Sequence, residues 1–237
     1  MKKPQSIPTL LKMLVYTAWM VMLVLLLLNG RYKMHIAIHL WPIIAIGAIL
    51  SGLFLASLVL SPVLLRKEEE SRADLVDTGI LLFPLIYLVF SAGDQLGAYA
   101  YSRRSISMVE SLDGIELQPG SSGLQNTVMH TDLYSLLSDY GCAFERTVTL
   151  EGSLINTDSI SGNMPVLFRF LIVCCVNDAI PYGIYLEGGS VTGIPDDQWL
   201  RVTGTADTLI INEEVFPFIK DLEITVLESP ECPYMYP

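Results

Sequence analysis

Hydrophobic and polar positions are distributed unevenly along this chain. Residues 13–30 carry no charge, and a helix over about 10–29, rising 1.5 Å per residue, approaches the length needed to cross about 30 Å of hydrocarbon. A second uncharged run, residues 34–65, predicts a helix over 42–65 that leaves His35, His39 and Trp41 at the interface. The third run, 78–93, is bounded by Asp77 and Asp94 and contains Pro84, so it predicts a shorter span over about 76–93. No small-residue cleavage site follows Leu28, and the first run therefore reads as an anchor rather than a cleaved signal peptide.

After residue 93 the pattern changes. Residues 94–130 are polar and turn-rich, with Asp113-Gly114 and a Pro-Gly-Ser-Ser-Gly cluster at 119–123, and read as a linker. Thr131 is a plausible N-cap for a helix over 132–140, which would place Leu133, Leu136 and Leu137 on one face and end at Gly141. Beyond it the period becomes that of strands. Residues 146–156 alternate, with Val148, Leu150 and Leu154 facing one way and Thr147, Thr149 and Glu151 the other. Further strands are expected at 166–176, 182–186, 199–209 and 219–227. Five strands in so short a stretch fit a small OB-like five-stranded barrel, with a β-sandwich as the alternative. The fold class is thus a membrane α-helical N-terminal region (1–93), a linker (94–130) and a mainly β, water-soluble domain (131–237).

Composition agrees with this division. Hydrophobic residues make up 51% of the chain and charged residues only 16%, and the apolar surplus lies before residue 93. Lys2, Lys3 and Lys12 precede the first run and Arg66, Lys67 and Arg72 separate the second from the third. Only Arg31 and Lys33 lie between the first two. The positive-inside bias puts the N-terminus in the cytoplasm; three spans then leave the C-terminal domain extracytoplasmic, whereas a merely interfacial third segment would keep it inside. From residue 130 onward four basic residues (Arg146, Arg169, Arg201, Lys220) face sixteen acidic ones, a net of −12. That sign opposes phosphate-backbone contacts, so nucleic acid is not an expected partner.

The chemically distinctive residues are Cys174 and Cys175. Adjacent strand residues point to opposite faces, so in a strand the two thiols would be separated, one of them packing as a small hydrophobe. Asn177, Asp178 and Pro181 are turn residues, however. If the strand ends before them, the thiols and the Asp178 carboxylate could surround a divalent metal such as zinc, or copper, with a further ligand from His130, Cys142 or Cys232. Within residues 131–237 no CxxC or HxxxH spacing supports a zinc site, which favours the packing reading. Cys142 and Cys232 flank the domain and offer a possible disulfide. His35 and His39 would share a face if helical, as metal ligands or as interfacial anchors. Tyr182, Tyr185 and Trp199 offer a stacking platform for a sugar or lipid, or core packing. Phosphate loops, nucleotide-binding glycine motifs, HExxH and GxSxG are absent, so no enzymatic activity is expected. Nor do short spans with charges only at their ends make a transport path unaided.

The segments FRFLIVCCVNDAIPYGIYLEG, WLRVTGTAD and PECPYMYP resemble the YcgQ-like family of bacterial membrane proteins. The most specific element is Cys-Cys-x-x-Asp-Ala-x-Pro, carried here by Cys174, Cys175, Asp178, Ala179 and Pro181. The resemblance implies an accessory subunit of a transport system working with a separate multi-span permease, and suggests metal-ion handling. Cys232, in the terminal Pro-Tyr motif, is a departure from the family pattern.

Overall fold

The computed structural model describes residues 7–60, 79–86, 96–104, 128–156, 164–211 and 213–237. The chain divides into two units, Met1–Asp94 and Gln95–Pro237.

In the first unit, α1 (Ile7–Leu28) and α2 (Trp41–Leu60) are apolar around nearly their whole circumference, Lys12 being their one charged residue. Both are long and apolar enough to cross a membrane. They pack against each other: the Tyr16 ring stacks on Phe54 at 5.7 Å, and Gly47 and Gly52 let α2 approach Leu23 and Met20 closely. The hydroxyls of Thr17 and Ser51 donate to the Met13 and Gly47 carbonyls, one turn back on their own helices. Such internal pairing is what a surrounding without water demands of a polar group. Leu14, Leu28, Ile49, Leu53 and Leu60 remain exposed, an outer surface that hydrocarbon would wet and water would not. The connection turns at Gly30, which has a φ of 65°, a value glycine adopts without strain. It continues through two short 3₁₀ turns, Arg31–Met34 and Ile38–Leu40. His35 and His39 consequently do not lie on one helical face. Of the expected third span only 79–86 falls among the described residues; it is helical, and its Leu81 carbonyl accepts from the Trp19 indole at 3.0 Å.

The second unit is a barrel. A two-residue strand, β1 (Met129–His130), precedes five longer ones: β2 (Thr147–Asn156), β3 (Pro165–Leu171), β4 (Ile180–Leu186), β5 (Trp199–Ile211) and β6 (Glu214–Leu227). The sheet runs β2-β3-β4-β6-β5 and closes by pairing β5 back onto β2. Only β4 and β6 among the long strands are parallel. Closure excludes the sandwich and leaves an OB-like barrel.

β2 takes part on both sides of the closure. Residues from Thr147 to Ser153 pair with β5, and those from Ser153 to Asn156 with β3. The changeover falls next to Gly152, where a Cβ would stand 2.8 Å from the Phe168 carbonyl oxygen, so the strand turns a barrel corner at the one residue without a side chain. β1 pairs in parallel with Val148 and Thr149. A register shift between Thr203 and Thr205 bends β5 over β6 in the same way, and a Cβ on Gly204 would fall 2.6 Å from the Lys220 carbonyl oxygen.

Val148, Leu150 and Leu154 point inward with Leu167, Leu171, Ile184, Leu186, Leu200, Val202 and Ile219. Two short helices add to this core: α4 (Leu133–Ser138) contributes Leu133 and Leu136, and α5 (Tyr140–Ala143) contributes Tyr140 and Ala143. The cap of α4 is Asp132, not Thr131: its carboxylate accepts the Ser135 amide and hydroxyl, both at 2.9 Å, because an ionised acceptor satisfies the free N-terminal amides better than a hydroxyl. Gly141 does not stop the helical stretch; it lies inside α5 and is buried. The Tyr140 hydroxyl lies 2.5 Å from the Asp207 carbonyl and 2.9 Å from that of Phe218, and it accepts the Phe218 amide at 3.1 Å, tying α5 to both long strands.

Residues expected to be linker contribute to this unit. Within them α3 (Ala98–Arg104) buries Tyr101 completely, its ring 4.5 Å from Phe168 and 6.3 Å from Phe170 on the outer face of β3. The helix start is fixed by Asp197, whose carboxylate accepts the Ala98 amide at 2.5 Å.

Candidate thiol and carboxylate site

β3 ends at Leu171, earlier than the apolar run in the sequence suggests. The C-terminal tail takes over at that point: the Ile172 amide donates to the Met235 carbonyl at 2.9 Å and the Met235 amide to the Phe170 carbonyl at 2.8 Å. A parallel bridge joins Leu171 to Met235. Residues after Ile172 therefore leave the barrel wall, turn outward, and pass through a 3₁₀ turn, Val176–Asp178, before β4 begins.

Cys174 and Cys175 lie on this loop and not in a strand. Cys174 is exposed and Cys175 half-buried, so the packing reading of a thiol in a strand core fails. Its premise was a strand continuing to residue 176. Instead the Asp178 carboxylate folds back over the loop, accepting the Cys174 amide at 2.9 Å and the Cys175 amide at 3.2 and 3.3 Å from its two oxygens. One carboxylate thus fixes the backbone of both cysteines. The two sulfurs and a carboxylate oxygen all lie within 4.8 Å of one another. That is a compact donor set of soft and hard character, suited to zinc or another thiophilic ion. The neighbouring Cys175 thiol, then desolvation and the Asp178 carboxylate, hold the Cys174 thiol above its ordinary pKa.

Arg104 of α3 secures the same loop from the other side. Its guanidinium donates to the Val176 carbonyl at 3.0 Å and the Ala179 carbonyl at 3.2 Å. Nothing in its spacing announces this role, because it is 72 residues from its first partner. The tail residues Tyr234 and Met235 belong to the same framework: Tyr234 is buried, and its hydroxyl accepts the Leu96 amide at 3.1 Å.

The other residues singled out in the sequence lie elsewhere. His130 lines a polar cleft of about 300 Å³ with Thr131, Asp132, Thr149, Glu151, Arg169 and Arg201. Within it Arg201 pairs with Glu151 at 2.6 Å. Arg169 donates to the Cys232 and Pro233 carbonyls at 3.0 and 2.9 Å and lies over the Trp199 ring. Cys142 and Cys232 are separate free thiols. Cys142 sits beside Asp139, which raises its pKa, and Cys232 beside the Tyr236 hydroxyl. β2 begins opposite Thr205 and β6 ends opposite Trp199, so the strand ends flanking the two thiols are about 20 Å apart along β5. Trp199 and Tyr185 are buried, and Tyr182 meets Tyr134 edge-on; these three rings serve packing and form no open stacking platform.

Residues 125–237, which contain the whole barrel, match the family described as the DUF1980 C-terminal domain. The UPF0703 protein YcgQ of Bacillus subtilis (strain 168) is 27% identical over 93 residues, covering 38% of this chain. The match spans only 33% of that relative's length. No solved structure matches the chain. Residues 125–237 are thus similar to a DUF1980 C-terminal domain, and together with the two candidate membrane-crossing helices and the distant YcgQ relative they support a YcgQ-like family.

Proposed function

We propose that the protein is a membrane-anchored, non-enzymatic accessory subunit of a metal-ion transport system, whose barrel holds a thiophilic divalent ion at Cys174, Cys175 and Asp178 for a multi-span permease. The observation that carries this reading is the exposed donor cluster itself. Three protein donors at a surface leave a coordination position open, the arrangement of sites that exchange a ligand rather than of closed structural ones. Ion binding displaces the thiol protons, and the sulfurs are already gathered by the Asp178 carboxylate. Arg104 keeps the loop in that shape before an ion arrives.

α1 and α2 supply the anchor. The basic residues flanking them support a cytoplasmic N-terminus in this reading, and a third crossing would then leave the barrel outside. The partner reading rests on the family resemblance and on the scarcity of charge in α1 and α2, where Lys12 near the start of α1 is the one charged residue, which argues against a self-sufficient path. Purification of the full chain from its native membrane in mild detergent tests it. A multi-span membrane protein is expected to co-elute in stoichiometric amount, and a chain that elutes alone contradicts the subunit role.

A further inference from the structure

The donor cluster has a property that a purely coordinating site does not need: its two sulfurs belong to adjacent residues. Cys174 is exposed, and its sulfur lies within 4.8 Å of that of Cys175. The other two cysteines are engaged elsewhere, Cys142 beside Asp139 and Cys232 beside Tyr236. A thiol oxidised at Cys174 therefore meets Cys175 before any other sulfur among the described residues.

We propose that Cys174 and Cys175 form a reversible vicinal disulfide that switches off the metal site, so that ion loading depends on the redox state of the surroundings. The inference rests on the metal-binding reading given above. With hydrogen peroxide as oxidant, Cys174 loses its proton to water and the resulting thiolate attacks one peroxide oxygen, yielding a sulfenic acid and a hydroxide that takes the proton back as one water. The Cys175 sulfur then attacks the Cys174 sulfur and expels the second oxygen as water. Two thiol hydrogens leave with the two oxygens, the sulfur pair is oxidised by two electrons, and peroxide is reduced by two. The product has no thiolate to offer, so only the Asp178 carboxylate is left as a donor, too little to retain a thiophilic ion.

The fold leaves room for this step without unfolding the barrel. The loop lies beyond the end of β3, and its attachments are to the Asp178 carboxylate, to Arg104 through the Val176 and Ala179 carbonyls, and to the tail through Ile172. The Cys175 sulfur accepts the Asp178 amide within the loop itself, and no bond from the loop to the barrel uses a cysteine sulfur. An eight-membered ring is strained, which makes such a disulfide easily reduced and suits it to regulation rather than to structure.

The test uses the full chain in detergent, with zinc chloride as the metal probe. Reduced protein is treated with a small excess of hydrogen peroxide, with and without zinc. It is then examined by intact mass, by peptide mapping across residues 174 and 175, and by zinc content. Expected results are a mass loss of about 2 Da confined to that peptide, protection by bound zinc, at least a tenfold drop in zinc retained, and full recovery with dithiothreitol. Cys142→Ser and Cys232→Ser should leave the switch intact, whereas Cys174→Ser should abolish it. Oxidation that runs to sulfinic acid, cross-linking between chains, or oxidised protein that still holds zinc would overturn the switch. If reduced protein binds zinc but no disulfide forms, the switch fails and the metal reading stands. If the disulfide forms but reduced protein never binds zinc, the metal reading fails, and the gating of an ion fails with it.

Discussion

At the scale of single residues, the site depends on Asp178 in two capacities. Its oxygens hold the Cys174 and Cys175 amides, and the same group is the third donor of the cluster. Asp178→Asn is expected to weaken zinc binding by at least about 10–100-fold, the loss that follows removal even of groups that only orient metal ligands. Competition against a chromogenic chelator measures this, and an unchanged affinity would remove Asp178 from the site. Two glycines make a different kind of prediction. A methyl group on Gly152 or Gly204 would meet backbone oxygen within 2.8 or 2.6 Å, and backbone in a closed barrel cannot step aside as a flexible side chain can. Gly152→Ala and Gly204→Ala should each cost about 1–3 kcal/mol in urea unfolding of the barrel, whereas Gly189→Ala, with open space around it, should cost little.

At the scale of elements, the outer face of β3 needs α3. Phe168 and Phe170 point away from the barrel interior and are buried by the helix that carries Tyr101. Tyr101→Ala should destabilise the unit by about 3–5 kcal/mol, the cost of emptying an aromatic site. Tyr99→Ala, at a side chain 74% exposed on the same helix, should change stability by no more than about 0.5 kcal/mol. Equal effects of the two would mean that α3 does not cover the sheet. The junction of β5 and β6 adds a pH dependence. Burial alone would raise the Asp207 pKa, but the paired Lys220 ammonium and the Thr208 amide hold it below the ordinary 3.8. A carboxylate with a lowered folded-state pKa contributes stability above its unfolded value and loses it as the pH falls through the folded one. Asp207→Asn should therefore flatten the acid limb of the unfolding curve below about pH 4 and leave its shape near neutrality unchanged.

These elements also show what the sequence discloses and what it conceals. The alternation of 146–156 locates β2 within one residue because half of it faces the core. The end of β3 is hidden, because Ile172, Val173 and Val176 favour strands as strongly as the residues before them. What stops the strand is the tail, 63 residues away, claiming the Ile172 amide. The position of the two cysteines followed from that ending, so the donor cluster was visible only as the less favoured of two readings. α3 is hidden in a stretch that is polar and turn-rich as a whole, and the group that fixes its start is Asp197 from a distant loop. Arg104 was concealed for the same reason: its partners are brought to it by the fold.

At the scale of the whole molecule, uncharged helical runs and an acidic barrel are features that length and composition fix before any packing is known. The binding of an ion is not, since it depends on three donors meeting at one place on a surface loop. Zinc content of the full-length chain, purified under reducing conditions without added chelator, tests that claim most directly. A stoichiometric, exchangeable ion is expected, lost alike in Cys174→Ser, Cys175→Ser and Asp178→Asn while the barrel stays folded. Less than about a tenth of an equivalent of zinc in the reduced chain after equilibration with micromolar zinc, well within the affinity expected of a site containing two thiolates, would contradict it.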